Sequence, residues 1–310
     1  MPDSAFVGFV RTGGKLGSHL RSVAFLAALS MPFMPLASSP VHATAAGSEQ
    51  NVSDANRQLE AEINGLFDQV EQATQAGDQA LALQVSRELR IKIGTALGKE
   101  SQEYLSALNM EAELLGALQR NDELAEKFAE MLPLAQKLLG EKNPNTVIGM
   151  MEYGYLLQRL GRFQEAEVLF KKSWQLRQEL LGDKSPDTLE SLNSYSLILL
   201  QLGRLNETEP LIKKVVSLRQ QVLGKQHPDT LKSMNNLAAL HANLGRLSES
   251  ERIQAELLPL YETVFGPNHR NTLTIMNNYA AALDDLGRVK EAAALYEKSL
   301  RLREAALGEN

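Results

Sequence analysis

The sequence predicts an all-α protein, a solenoid of about six helix-turn-helix repeats. Three observations carry that prediction. Gly98, Gly140, Gly182, Gly224, Gly266 and Gly308 recur every 42 residues without a slip, and strict self-similarity at such a period marks a solenoid. A second series, Gly161, Gly203, Gly245 and Gly287, keeps the same step. Between these glycines lie two segments of helical apolar period joined by a Gly-Arg turn, with no alternating strand pattern anywhere. The clearest copy is GKQHPDTLKSMNNLAALHANLGRLSESERIQAELLPLYETVF, residues 224–265.

In chain order, the first 46 residues stand apart. Arg11, Lys15 and Arg21 precede an apolar run at 23–37, VAFLAALSMPFMPLA, followed by small and polar residues. That order reads as a secretory signal peptide with cleavage after Ala43 or Ala45. The run is short for a membrane span and holds Pro32 and Pro35. The chain is expected to be exported, periplasmic or secreted, if this leader is cleaved. Otherwise it stays cytoplasmic or is anchored to a membrane by its N-terminus. GGKLGS at 13–18 is no phosphate loop, because Gly14 holds the Lys position and no strand precedes it.

Residues 47–55 form a polar lead-in, and the first repeat follows at 56–97. Its stripe is Leu59, Ile63, Leu66 and Phe67, with Gly77-Asp78 at the turn. It is the most divergent unit, as expected of an end repeat. Repeats two to six occupy 98–139, 140–181, 182–223, 224–265 and 266–307. In three of them the first helix opens on Asn143-Pro144, Ser185-Pro186 or His227-Pro228. Proline suits the first helical position, and Asn143 and Ser185 suit the N-cap. At each Leu-Gly-Arg the first helix ends at the glycine, which can take the left-handed conformation. Gly308-Glu309-Asn310 repeats the opening of the unit and stands as the start of an incomplete repeat.

These residues resemble the tetratricopeptide repeat. Met234 to Ala238, the turn Leu244-Gly245-Arg246, and the small residues Ala166, Thr208, Ser250 and Ala292 match its pattern. The 42-residue step and the wording HPDTL…NNLA…LGR are similar to the kinesin-light-chain type. The resemblance implies a right-handed superhelix whose first helices line a concave groove that holds a peptide or a partner's surface.

Composition narrows the function. There is no Cys, so disulfides, thiolate metal sites and Cys nucleophiles are excluded. The net charge of −6 leaves the chain after residue 46 at −8, since Arg11, Lys15 and Arg21 outweigh Asp3. A mildly acidic body argues against nucleic acid as partner. No catalytic motif is present, and no cofactor or metal is expected. His227 and His269 read as turn and cap residues, and His241 as a buried, hydrogen-bonded core residue in a column otherwise of leucine. Trp174 sits in a core column. Arg120, Arg162, Arg204, Arg246 and Arg288 form a column at the turn, each followed three residues later by a Glu, so the column neutralises itself.

The groove is the candidate binding site. Aligned on Leu237 and Gly245, its residues in the fifth repeat are Lys232, Asn235, Asn236 and Asn243. Elsewhere they are Asn109, Tyr155, Arg159, Asn193, Asn277, Asn278 and Asp285. Asn is a poor helix former, so propensity does not explain it. Its amide can bond the backbone of an extended peptide or the neighbouring helix, and both readings stand. The expected function is a non-enzymatic scaffold that binds a protein or peptide. The rivals are the regulatory region of a larger enzyme, such as a caspase-like protease, and a repeat protein that associates end to end. No firm membrane contact is expected beyond the leader.

Overall fold

The computed structural model describes residues 46–308. Residues 1–45 of the expected leader at 1–46, and Glu309-Asn310 of the expected incomplete repeat, lie outside them. The described residues form twelve α-helices and no strand. They divide into two compact units between Leu160 and Gly161, within the third repeat.

The first unit holds α1 (Ala46–Gln75), α2 (Gln79–Ala96), α3 (Gln102–Ala117), α4 (Asn121–Leu139) and α5 (Pro144–Arg159). Helix α1 takes in the polar lead-in at 47–55. Each helix packs on the next, burying Ile63, Leu89, Ile93, Leu108 and Leu115 completely. Full burial of such side chains stabilises by about 1.5–3 kcal/mol each. Starts are capped as the residue types dictate. The side chains of Asp78, Ser101 and Asn143 accept from Leu81, Tyr104 and Asn145 N–H. The turn after α3 has no glycine. Gln119 occupies it at φ 58°, the place Gly161, Gly203, Gly245 and Gly287 hold elsewhere at φ 71–76°.

A charged cluster crosses this unit. Glu111 on α3 is 1 % exposed and accepts from Arg87 Nε at 3.2 Å and Arg90 Nε at 2.6 Å. Arg90 also donates to Tyr104 Oη at 3.0 Å, and Tyr104 donates onward to Glu130 Oε1 at 2.7 Å. A buried carboxylate is tolerated only with such partners.

The second unit holds α6 (Phe163–Leu181), α7 (Pro186–Gln201), α8 (Leu205–Leu223), α9 (Pro228–Asn243), α10 (Leu247–Phe265), α11 (Arg270–Asp285) and α12 (Val289–Gly308). Neighbours in sequence are again neighbours in space, around Ile212, Leu231, Ala238, Leu240, Leu257 and Ile275. Proline opens α7 and α9, and the Nδ1 atoms of His227 and His269 accept from the N–H groups of Asp229 and Asn271 at 3.2 and 3.1 Å. Ser185 departs from expectation, since its side chain makes no capping bond. The preset φ of Pro186 starts α7 without it.

The arginine column is paired more widely than its sequence spacing implies. Arg120, Arg162, Arg204 and Arg288 each reach the Glu three residues on. In the second unit a further column joins them. Arg204 donates to Glu167 at 2.7 Å, Arg246 to Glu209 at 2.6 Å and Arg288 to Glu251 at 3.1 Å. These three bonds tie each turn to the preceding repeat. Arg246 is the exception within its own repeat, because it forms no ion pair with Glu249. On α12, Val289, Tyr296 and Leu300 are 59 %, 42 % and 56 % exposed, whereas Gln254, the α10 counterpart of Tyr296, is buried.

Candidate binding face

The expected groove residues fall into two groups. In the first unit, Asn109 on α3 is buried, with its Nδ2 3.5 Å from Glu113 Oε1. Burial pushes the Glu113 carboxyl up. Tyr155 and Arg159 lie on α5, half-buried and exposed respectively.

In the second unit the asparagines of α7, α9 and α11 form a ladder. Asn236 Nδ2 donates to Asn193 Oδ1 at 3.5 Å, both side chains being buried. One repeat later, Asn278 Nδ2 donates to Asn235 Oδ1 at 3.1 Å. The same oxygen accepts from Gln254 Nε2 on α10 at 2.9 Å. The step in both rungs is 43 residues, one more than the repeat. A donor one position on therefore meets an acceptor in the first helix of the preceding repeat. These four amides are inter-repeat ties. Asn277, the next acceptor in the series, makes no side-chain bond among the described residues and is half-buried. Gln254 escaped the sequence reading because nothing in its own helix marks it. The paired Asn-Asn at 235–236 and 277–278 was the visible signal for the rungs.

Beside the ladder lie the side chains that remain available. Lys232 is exposed and enters no ion pair among the described residues. Asn243 is exposed and donates to the carbonyl of Ala239 at 2.8 Å, leaving its side-chain oxygen open. Ala281, Asp284 and Asp285 are exposed on α11. Burial pushes the Tyr296 hydroxyl up, and the charges of Asp284 and Asp285 add to it. The face thus carries a cation on α9 and two anions on α11, set on helices whose register the amides hold. The described residues contain no cluster of metal-ligating side chains and no helix long and apolar enough to cross a membrane.

His241 departs from expectation. It is buried at 7 % exposure, but its imidazole makes no hydrogen bond among the described residues. Burial holds its pKa below the ordinary histidine value. Trp174 stacks on Tyr195 at 5.8 Å, its Nε1 without a partner among the described residues.

Paired helices with positive-φ glycine turns, packed in sequence order, define an α-helical repeat protein. The chain belongs to the tetratricopeptide repeat family, whose sequence profile matches residues 148–207, 193–262 and 233–305, together about half of the chain. The comparison with curated proteins gives no match. Among solved structures the chain is similar to a variant of a putative kinesin light chain of nearly identical TPR-like repeats from Podosopora anserina. That likeness has 20 % identity and a TM-score of 0.59 over 66 % of this chain and 96 % of that one. It is similar also to BtubC (BKLC) from P. vanneervenii, at 18 % identity and a TM-score of 0.58, over 81 % and 92 %. A tetratricopeptide repeat protein from Parabacteroides merdae gives 17 % identity and 0.55, over 77 % and 79 %. At these identities the likeness concerns the fold. The family generally mediates protein–protein interaction.

Proposed function

We propose that the chain is a non-enzymatic scaffold that binds an extended segment of a partner protein across α7, α9 and α11. The observation that carries the reading is the amide ladder, which holds three helices in register beside the exposed Lys232, Asn243, Ala281 and Asp285. Helix-borne groups in fixed register offer a pre-organised surface, which lowers the cost of binding. The small Ala281 leaves room for a ligand backbone. Lys232 and Asp285 carry opposite charges and would set the direction of the segment.

Selection of a random peptide library against the intact chain tests this. Enriched peptides should lose about tenfold or more in affinity on Lys232→Ala/Asn243→Ala/Asp285→Ala, with an unchanged melting temperature. Peptides that bind this variant as well as the parent would remove the reading.

One observation favours a second reading, end-to-end association. Tyr296 and Leu300 are exposed on α12, where the equivalent face of α10 is covered by α11. Sedimentation velocity on the parent and on Leu300→Glu separates the two, since only association predicts a concentration-dependent shift that the variant abolishes. Export rests on the leader composition alone, and a native N-terminus at Met1 in soluble cytoplasmic protein would overturn it.

A further inference from the structure

The fifth repeat departs from its neighbours twice in one place. His241 holds a position where Leu115, Leu157, Leu199 and Leu283 stand in other repeats, each of them no more than 1 % exposed. Its Nδ1 is sealed in the core without a hydrogen-bond partner among the described residues. Glu249, at the start of α10, belongs to a column whose other members, Glu123, Glu165, Glu207 and Glu291, each pair with the Arg three residues before. Here Arg246 turns to Glu209 instead, and Glu249 enters no ion pair among the described residues. His241 and Glu249 line one cleft, of about 490 Å³, between α8, α9 and α10.

A neutral imidazole can keep the sealed nitrogen as a bare lone pair, at a cost. The protonated ring cannot, because both its nitrogens then carry hydrogen and Nδ1 has nothing to donate to. Burial holds the ring below its ordinary pKa. Glu209 and, more weakly, Glu249 pull the other way, and Lys213 and Arg246 act with burial. The other charged groups on the cleft are Arg252 and Glu256 of α10. Glu209 is held by Arg246 and Lys213, and Glu256 by Lys225. Glu249 is therefore the carboxylate at hand for a charged imidazole, and the cleft gives the ring room to turn.

We propose that His241 is an acid-sensitive latch on α9: once protonated, its ring leaves the leucine column for the cleft and pairs with Glu249. The sealed Nδ1 leaves the core with it, and both N–H groups gain the carboxylate or water. The vacated core position weakens the packing of α9. An unfolded histidine titrates near roughly 6.5, whereas the buried ring binds its proton less readily. The stabilisation is therefore complete above the unfolded value and is lost as pH falls towards the folded one. Glutamates titrate lower, near roughly 4.3 or below, so their response is separate. Because α9 carries Lys232, Asn235, Asn236 and Asn243, acid would also loosen the face proposed above. That consequence rests on that reading, whereas the latch does not.

The test is hydrogen exchange of the intact chain between about pH 7.5 and about pH 5, corrected for the intrinsic rate, beside NMR titration of the histidine rings. Amides of α9 around His241 should open more readily as pH falls, by up to about tenfold per unit below about 6.5, while those of α2 and α3 stay level. The His241 ring should protonate with the same midpoint as the opening. His241→Leu installs the residue of the other repeats and should abolish the rise. Glu249→Gln should leave exchange at neutral pH unchanged and move the midpoint to lower pH, because the charged ring loses its carboxylate. Flat α9 exchange across this range, a rise that persists in His241→Leu, or an unmoved midpoint in Glu249→Gln would each overturn the proposal. None of these readings involves a bound peptide, so the latch and the binding face fail independently.

Discussion

Gln119 is a non-glycine residue at positive φ in the described chain. Its backbone closes α3 as glycine does in the other turns, with Arg120 N–H bonded to the carbonyl of Leu115 at 2.9 Å. A side chain in this region costs roughly 1 kcal/mol, which glycine avoids. Gln119→Gly is therefore expected to stabilise the chain by about 1 kcal/mol in urea denaturation, despite the greater entropy of glycine in the unfolded state. A lower midpoint would show that the Gln119 side chain contributes contacts that outweigh the strain. Gly94 shows the opposite constraint. An added Cβ would lie 2.9 Å from the Tyr104 ring, which is 1 % exposed and held through its hydroxyl by Arg90 and Glu130. Helix propensity favours alanine at such a position, but packing forbids it.

Between helices, the amide ladder and the arginine clamps do different work. Asn235 Oδ1 accepts two bonds, from Asn278 and Gln254. Its loss leaves two donors unmet at a half-buried site. Asn235→Ala is expected to cost about 1–3 kcal/mol, whereas Asn277→Ala, one repeat on and unbonded, should stay within about 0.5 kcal/mol. Paired urea titrations measure both, and equal effects would mean that the ladder contributes nothing to the packing of α9 on α11. A peptide-binding role for Asn277 is compatible with that pattern. Asn193, Asn235, Asn236 and Asn278 already spend at least one amide group on the fold.

Over the whole molecule, the exposed ion pairs set the pH response. Arg246, bonded directly to Glu209, and then Lys213 hold that carboxyl down at about 2. The Arg partners of Glu165, Glu207 and Glu291 lower these carboxyls too. An unfolded Glu titrates near roughly 4.3, so the folded state binds fewer protons between that pH and about 2. The stabilisation is complete above the unfolded value and is lost as pH falls towards the folded one. Glu209→Gln should melt below the parent at pH 7, and the gap should close as pH approaches about 2. Added salt should shrink it at neutral pH, because these pairs face solvent. A gap independent of pH would assign the effect to packing.

The repeat, its period, the helix pairs, the proline starts and the glycine turns were legible before any coordinates. They depend on local backbone preference and on apolar period, which sequence displays directly. The self-neutralising arginines were half legible. Glu123, Glu165, Glu207 and Glu291 lie within a turn of their partners, whereas Glu167, Glu209 and Glu251 are 37 residues from theirs. The asparagine column was visible, but its choice between partner and neighbour was not. That choice turns on which amides approach within bonding distance across a repeat. The cluster around Glu111 and the division at Leu160 were hidden for the same reason. Each depends on how side chains distant in sequence fill or fail to fill shared space, and that is settled only when the helices are packed.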